Sequence, residues 1–299
     1  MGDELPADLV VRFVKDAADE GYDYLAVSGG EPLAWRGLWS ALRVGRASGM
    51  TVTMTTNATL VTKDLARAVA DHVSYVAVSI EGSAKSHDWL RGSGVFARTQ
   101  RGIETLQQAG VTIALIWTLT RSNVHELADV YSLATAIGAA FVQIHPLEGV
   151  GYAAQGLSAE VPDADELLVA GLFAAELRGQ DYGSPAIYLD AASTVDMRGR
   201  VTPDDHDDAP LSSLVEPLIL RADGWIVPGN YALPQPWAIG RLTEARLPEL
   251  AQHWRREGVS GWRGLIEATL DRLPPDAALM NFGAQLLVTA SRPHLYTRA

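Results

Sequence analysis

The sequence predicts an α/β protein built on a parallel sheet or barrel, and three observations carry that prediction. Five runs, Tyr24 to Ser28, Val52 to Thr56, Tyr75 to Ile80, Ile113 to Thr120 and Phe141 to Leu147, are mostly apolar rather than alternating. Strands of a parallel sheet, buried on both faces, look like this. Stretches of helical periodicity separate them, and several run into a glycine, Gly21, Gly49, Gly110 or Gly138, where a left-handed cap is expected. Helix, glycine and strand in repeating order is the pattern of βα units.

In chain order, Ala7 to Glu20 reads as the first helix and leads through Gly21 to the first strand. That strand ends in Ser28-Gly29-Gly30-Glu31-Pro32. Helices over Leu38 to Ser48, Thr62 to Asp71, Phe96 to Ala109 and Asn123 to Ile137 fill the intervals between the later strands. After Gly149 the pattern loosens. Ala164 to Leu177 reads as a helix, Ala186 to Asp190 as a short strand, and Thr202 to Pro210 as an acidic, proline-bounded loop. Pro217 to Leu220 and Trp225 to Val227 flank Ala222-Asp223-Gly224, a hairpin signal in which Asp-Gly supplies the positive-φ turn residues. From Leu247 onward the tail is mainly helical. The expected division is residues 1–200 as a partial barrel and 201–299 as a small C-terminal domain.

The 299 residues allow one large domain or two modest ones at about 150 residues each. Hydrophobic residues at 47% and charged residues at 20% are ordinary globular values, against wholesale disorder. Lys plus Arg number 24 against 36 Asp plus Glu, a formal charge of −12. Such a chain repels nucleic acid and anionic lipid; Arg36, Arg43 and Arg46 lie along one amphipathic stretch and form no basic patch. Neither nucleic acid nor membrane is an expected partner. The cysteine count is zero, which removes disulfides, thiol nucleophiles, zinc–thiolate sites and cysteine-ligated iron–sulfur clusters from what these side chains can build. The N-terminal MGDELPADLV lacks the basic and apolar regions of a signal peptide, and no apolar run reaches the roughly 18 residues of a membrane span. A cytoplasmic protein is expected.

Chemistry in such folds gathers beyond the carboxyl ends of the strands. Here those ends are Ser28-Gly29-Gly30-Glu31-Pro32, Thr55-Thr56-Asn57, Ser79-Ile80-Glu81-Gly82, Thr118-Leu119-Thr120 and His145-Pro146-Leu147-Glu148, polar caps on apolar strands. Two glycines let backbone approach a ligand closely, although a tight turn with an incidental glutamate has the same sequence. Glu81 also fits a solvated surface carboxylate, and His87 a helix cap. The group His206 with Asp204, Asp205, Asp207 and Asp208 fits a solvated acidic loop better than a metal site. Trp35, Trp39, Trp89 and Trp117 fit packing positions better than a ligand cage. No metal ligands are expected, and neither a GxSxG elbow nor a P-loop is present.

The series SGGEP, TTN and SIEG, followed by His87-Asp88-Trp89-Leu90-Arg91-Gly92 and Val95-Phe96, resembles the radical S-adenosylmethionine superfamily from Gly21 to about Gly151. More narrowly it resembles the branch with a C-terminal SPASM or twitch-like domain. Leu220 to Gly229, Ala238 to Leu242 and Leu247 to Leu250 are similar to that domain's hairpin and following helix. The resemblance implies an incomplete parallel (βα) barrel of radical-SAM type with a small α+β C-terminal domain, and S-adenosylmethionine as cofactor. It implies that Gly29, Gly30 and Glu31, with Ser28 before them, hold the methionyl amino group, and that Thr55 and Asn57 line the site. By the same resemblance Ser79 and Glu81 face ribose and carboxylate, Arg91 meets the methionyl carboxylate and His145 flanks adenine.

One departure matters more than the match. The family holds a [4Fe–4S] cluster through CxxxCxxC after its first strand. Only 28 residues precede Gly29 here, so that strand and its cluster loop are expected to be missing, and no iron–sulfur cluster is expected from this chain. Cysteine is also absent near Pro228-Gly229, where relatives commonly carry one. Three readings follow. The sequence is an N-terminally truncated radical enzyme; or a cluster-free descendant doing polar chemistry at the sulfonium, as a transferase or lyase in natural-product or peptide tailoring; or a non-catalytic scaffold for a peptide or partner enzyme. For polar chemistry the candidate bases are Glu31, Glu81, His87, His145 and Glu148, with Glu31, Glu81 and His145 foremost. The expected substrate is a small molecule or peptide. The edge at Tyr24 to Ser28 invites a covering helix, a partner or a homodimer.

Overall fold

The computed structural model describes residues 4–177, 184–200, 209–275 and 279–292. In chain order its elements are α1 (Ala7–Asp19), β1 (Tyr24–Val27), α2 (Leu38–Ala47), β2 (Thr51–Thr56), α3 (Lys63–His72), β3 (Tyr75–Ile80), α4 (Ala84–Arg91) and α5 (Val95–Gln108). Next come β4 (Ile113–Leu119), α6 (Leu127–Ala136), β5 (Phe141–Pro146), α7 (Tyr152–Gly156), α8 (Ala164–Leu177) and β6 (Ala186–Leu189). The remainder is α9 (Thr194–Arg200), α10 (Leu211–Leu214), β7 (Leu218–Leu220), β8 (Trp225–Pro228), β9 (Gly240–Arg241), α11 (Leu247–Glu257), α12 (Val259–Arg272) and α13 (Phe282–Ala290).

The chain forms two compact units, one of Tyr24–Leu38 with Thr51–Ala191, the other of Met1–Asp23, Trp39–Met50 and Ala192–Ala299. The first unit is built on a six-stranded parallel sheet in the sequential order β1 to β6. A sheet that advances one strand at a time, never reversing, carries its crossovers on one face; that is barrel winding rather than a doubly wound sheet. β1 and β6 remain the two edges, so the barrel is incomplete. Register assigns the faces. Met54, Val76 and Ile113 lie in one row, Val78, Leu115, Val142 and Ile187 in the next, Ile80, Trp117 and Ile144 in a third. All ten are buried. The opposite face carries Thr55, Ile116, Thr118, Gln143 and His145, each only partly covered.

The glycine punctuation works as predicted. Gly21, Gly49, Gly110 and Gly138 take φ of +90°, +81°, +78° and +61°, where a side chain would be strained. Several boundaries shift. The helix expected over Asn123 to Ile137 begins as a single 3-10 turn, Val124–Glu126, before α6. A short helix, α4, precedes α5, its first turn capped by the Ser83 hydroxyl, which accepts from the Ser86 amide. Trp117 is fully buried as expected of a packing residue, whereas Trp89 on α4 is 61% exposed. The residue of α4 that is buried is His87 instead.

In the second unit the Asp-Gly hairpin forms as read: Leu218, Ile219 and Leu220 pair antiparallel with Pro228, Val227 and Ile226, and Gly224 sits at φ +86°. The Asp223 carboxylate accepts from the Trp225 amide at 3.3 Å. β9 adds a third strand, and α11, α12 and α13 supply the helical tail. Long-range charge pairs tie α1 and its C-cap to α11 and its N-cap: Arg246, the N-cap of α11, donates to Asp16, and Arg255 to Glu20, the C-cap of α1. The Glu20 carboxylate also accepts from the Leu211 amide at 3.0 Å. The acidic run expected over Thr202 to Pro210, with His206, falls mostly on residues 201–208, outside the described residues. No described helix is long and apolar enough to cross a membrane.

Candidate functional site

The loop after β1 is bare and tightly stitched. Gly29 and Gly30 hold φ of +80° and +50°, and a Cβ built on either meets no atom within 4 Å. The backbone here lies open to a ligand. Glu31 follows and turns its carboxylate back into the fold. Its Oε1 accepts from the Thr56 hydroxyl at 2.6 Å and the Leu33 amide at 3.2 Å, while Oε2 accepts from the Asn57 amide at 2.9 Å. One carboxylate thus fixes the glycine loop to the end of β2. Asn57 makes its own turn, accepting at Oδ1 from the Thr59 amide and hydroxyl, and its carbonyl accepts from the Thr99 hydroxyl on α5 at 2.9 Å. Ala58 takes a left-handed φ of +58°, and α5 comes so close that a Cβ at Gly102 would sit 2.1 Å from the Ala58 carbonyl oxygen. Thr55 shares the half-open face.

Beyond β3, Glu81 is 1% exposed, so the solvated reading of this residue does not hold. Its Oε1 accepts from Arg91 Nε at 2.8 Å and also from Nη2, and its Oε2 accepts from the Thr118 amide at 3.1 Å. Two residues expected to meet a ligand separately therefore meet each other. The Glu81 amide donates to His87 Nδ1 at 3.1 Å, which puts the proton of that neutral ring on Nε2. His87 is wholly buried, edge-on to Phe96 with centroids 5.6 Å apart. Burial lowers its pKa, so it is a packed, neutral histidine rather than the helix cap expected. Asp88 instead caps α5, accepting from the Gly94 and Phe96 amides, bonds that hold its carboxyl below the ordinary range.

Glu126, like Glu81, is a buried carboxylate. Burial alone would raise its pKa, but hydrogen bonds from the Ser86 hydroxyl and from the Ser83 amide and hydroxyl hold it down. Its Oε2 fills the space over Gly82, where a Cβ would lie at 1.8 Å. Ser79 and Glu148 are also nearly buried.

At the far edge, register places His145 beside Thr118 on one side and Asp190, just past β6, on the other. His145 Nδ1 lies 2.9 Å from Asp190 Oδ2, and Gln143 Nε2 donates to both Asp190 oxygens at 3.0 and 2.8 Å. Burial works against protonation of His145, but the hydrogen bond and charge of Asp190, with Glu148 and Glu81, raise its pKa. Lower on the same face Tyr24 and Tyr75 hydroxyls meet at 2.5 Å, and Tyr75, Phe141 and Tyr188 pack edge to face. Burial and the bond to Tyr24 push the Tyr75 hydroxyl up to about 12.

The structure thus joins Glu31 to the Asn57 segment and Glu81 to Arg91, and places His145 across the sheet from the glycine loop. Sequence reasoning missed Gly102, Asn123, Glu126, Gln143 and Asp190. Asn123 donates to the Thr118 carbonyl at 2.9 Å and accepts from the Thr120 amide at 2.7 Å, closing the β4 turn. Of these, only Gly102 inside a helical pattern carried a local signal.

The sequence contains no cysteine, so the side chains of this chain do not fit a cysteine-ligated iron–sulfur cluster. Among the described residues no three His, Asp or Glu gather as metal ligands. The open backbone at Gly29 and Gly30 does fit a small zwitterion bound by main-chain groups.

Comparison with known proteins gives a consistent result. Residues 1–134 match the profile of the Radical SAM superfamily. An AdoMet-dependent heme synthase of Methanosarcina barkeri is 34% identical over 165 residues, covering 54% of this chain and 47% of that protein. The mycofactocin maturase MftC of Mycolicibacterium smegmatis is 33% identical over 142 residues, covering 45% and 36%. The chain spans about half the length of the heme synthase and less of the maturase. Among solved structures, anSMEcpe with bound AdoMet and the Kp18Cys peptide superposes with a TM-score of 0.62 at 14% identity over 96% of this chain and 89% of that one. SuiB of Streptococcus suis bound to S-adenosylmethionine gives 0.67 at 14% identity over 87% and 61%. At that identity the likeness is one of fold.

Proposed function

On the premise that residues 1–134 match the Radical SAM superfamily, we propose that the chain binds S-adenosylmethionine at the carboxyl ends of β1 to β3 and β5. It acts on a small molecule or peptide by polar chemistry, with no cluster ligated by its own side chains. The observation that carries this is the loop after β1. Three hydrogen bonds to Glu31 build it rigidly onto β2, yet the space over Gly29 and Gly30 is left empty. A loop anchored by its neighbours with its own main-chain groups left exposed is what binding through the backbone requires.

Bound S-adenosylmethionine supplies an electrophilic sulfonium, open to methyl transfer, intramolecular displacement or elimination without an electron donor. The chain's task is positioning and one proton. Ser28, Gly29 and Gly30 offer main-chain groups to the methionyl end, and Glu31 shapes that loop. Thr55, Asn57 and Ser79 line the middle of the site. Arg91 uses Nε and Nη2 on Glu81 and keeps Nη1 for a ligand carboxylate. Glu81 anchors that guanidinium, and His145 is the proton acceptor.

The second reading, a scaffold that binds a peptide or partner, draws on the same geometry: Glu31 and Glu81, two of the three foremost candidates for catalysis, are engaged within the protein. Calorimetric titration of the purified chain with S-adenosylmethionine separates the readings. Micromolar binding that Glu31→Ala weakens tenfold or more supports the enzyme; no heat of binding overturns it in favour of the scaffold or of a longer radical enzyme.

A further inference from the structure

Two histidines lie close to the strand ends, and their hydrogen bonds assign them opposite tautomers. His87 accepts at Nδ1 from a backbone amide and carries its proton on Nε2, sealed from solvent. His145 faces a carboxylate, which only accepts, so its proton lies on Nδ1 and its lone pair on Nε2. Its side chain is 41% exposed, and Nε2 makes no hydrogen bond among the described residues.

The partner carboxylate is held as firmly as the ring. Asp190 continues the ladder of β5 and β6, its amide donating to the Ile144 carbonyl at 2.9 Å. Gln143 lies two residues before His145, on the same face of the strand, and its amide nitrogen bridges both Asp190 oxygens. An amide nitrogen donates only, so Gln143 fixes Asp190 as acceptor, and Asp190 in turn fixes the His145 tautomer. We propose that Asp190, locked by Gln143, is the positioning residue that makes His145 the acid–base group of this site, with Nε2 as the atom that takes the proton. This rests on the reading that the ligand binds at these strand ends.

The step balances simply. The proton of a bound nucleophile moves to Nε2, its bonding electron pair stays on the nucleophile, and the Nδ1 proton remains in its bond to Asp190. The imidazolium that forms is paired at once. The charges around the ring agree: Asp190 beyond β6, Glu148 beyond β5 and Glu81 beyond β3 all favour the cation, against burial, with Arg91 offsetting Glu81.

The test is nitrogen-15 NMR titration of the full chain, with His145→Gln assigning the resonance and the other histidines reporting that the fold is intact. The His145 pKa should lie above the ordinary 6.5, with the Nδ1–H tautomer in the neutral form. Asp190→Asn should lower its proton affinity about tenfold, one pKa unit, and Asp190→Glu should restore most of it. A parallel measurement maps diethyl pyrocarbonate modification of His145 with and without S-adenosylmethionine; protection is expected. An unchanged pKa and tautomer in Asp190→Asn overturns the positioning role, whether or not S-adenosylmethionine binds. Binding without protection overturns the place of His145 in the site. No binding at all overturns the underlying reading of the site, and a His145 shift in Asp190→Asn would still support the dyad.

Discussion

Arg91 donates through Nε, at 2.8 Å, to Glu81, a carboxylate that is 1% exposed. The same carboxylate accepts from the Thr118 amide, so a single side chain joins α4 to the ends of β3 and β4. A charge so placed is stable only with its partner: removing one member of a buried pair costs far more than the pair contributes.

Arg91→Ala, which leaves a charged Glu81 in a closed space, should therefore cost about 3 kcal/mol. Glu81→Gln, which keeps a neutral acceptor beside a guanidinium that is partly open to water, should cost about half that. Urea denaturation of both variants is the check, and equal, small losses would mean that the pair does not support the fold.

Gly102→Ala drives a methyl group into the Ala58 carbonyl, 2.1 Å away. The contact is backbone, not a flexible side-chain end, so α5 must move or the Asn57 turn must yield. The expected loss is about 2 kcal/mol or more, together with weaker binding of S-adenosylmethionine; full stability in chemical denaturation would show that α5 accommodates the change.

Glu126 sets an acid limit. Its folded-state pKa lies below the ordinary 4.5, so it contributes stability that is complete above 4.5 and disappears as pH falls through the folded value. Ser86→Ala removes one of the bonds responsible. At pH 7 the variant should be about 1 kcal/mol less stable than the parent chain, and the gap should close below pH 4.5. A gap independent of pH would assign the loss to packing.

His145 has the opposite sign. Its raised pKa contributes stability present below about 6.5 and lost as pH climbs through the folded value. Asp190→Asn should flatten the stability profile across that upper window and leave the acid limb set by Glu126 in place. Denaturation midpoints across both windows decide it.

Arg255 and Glu20 are both mostly covered, and Glu20 also holds the start of α10 through Leu211. Arg255→Ala should cost about 2 to 3 kcal/mol and loosen α1 first, visible as faster amide exchange over residues 7–19. Uniform exchange across the unit would count against a local role.

The strands were legible because burial on both faces of a parallel sheet leaves no room for alternation, and the helix ends because only glycine tolerates the left-handed cap. What escaped was pairing across distance. Glu31 stood out, but Thr56 and Asn57 lie on another strand. Glu81 reads alone as a surface acid; its partner is ten residues on, across α4, a short helix whose polar sequence hides it. Trp89 fits a core by composition and faces water instead, because hydrophobicity does not fix which side of a short helix packs. Asp190 is 45 residues from His145 and only the strand register brings them together.

Arg246, at the start of α11, and Arg255 within it lie 230 and 235 residues beyond their partners, Asp16 on α1 and Glu20 at its end. On a ribosome adding 5 to 20 residues per second, Asp16 and Glu20 emerge roughly 12 to 46 s before Arg246 and Arg255 exist. During that interval Asp16, which ends 3% exposed, is a solvated acid on a helix with an uncovered apolar face. The six-stranded sheet, whose strands pair with their immediate successors, can form in the meantime. The docking of α1 is therefore a late event of biosynthesis, and a nascent chain stalled before Arg246 should show residues 7–19 open to protease while β1 to β6 are already closed to it.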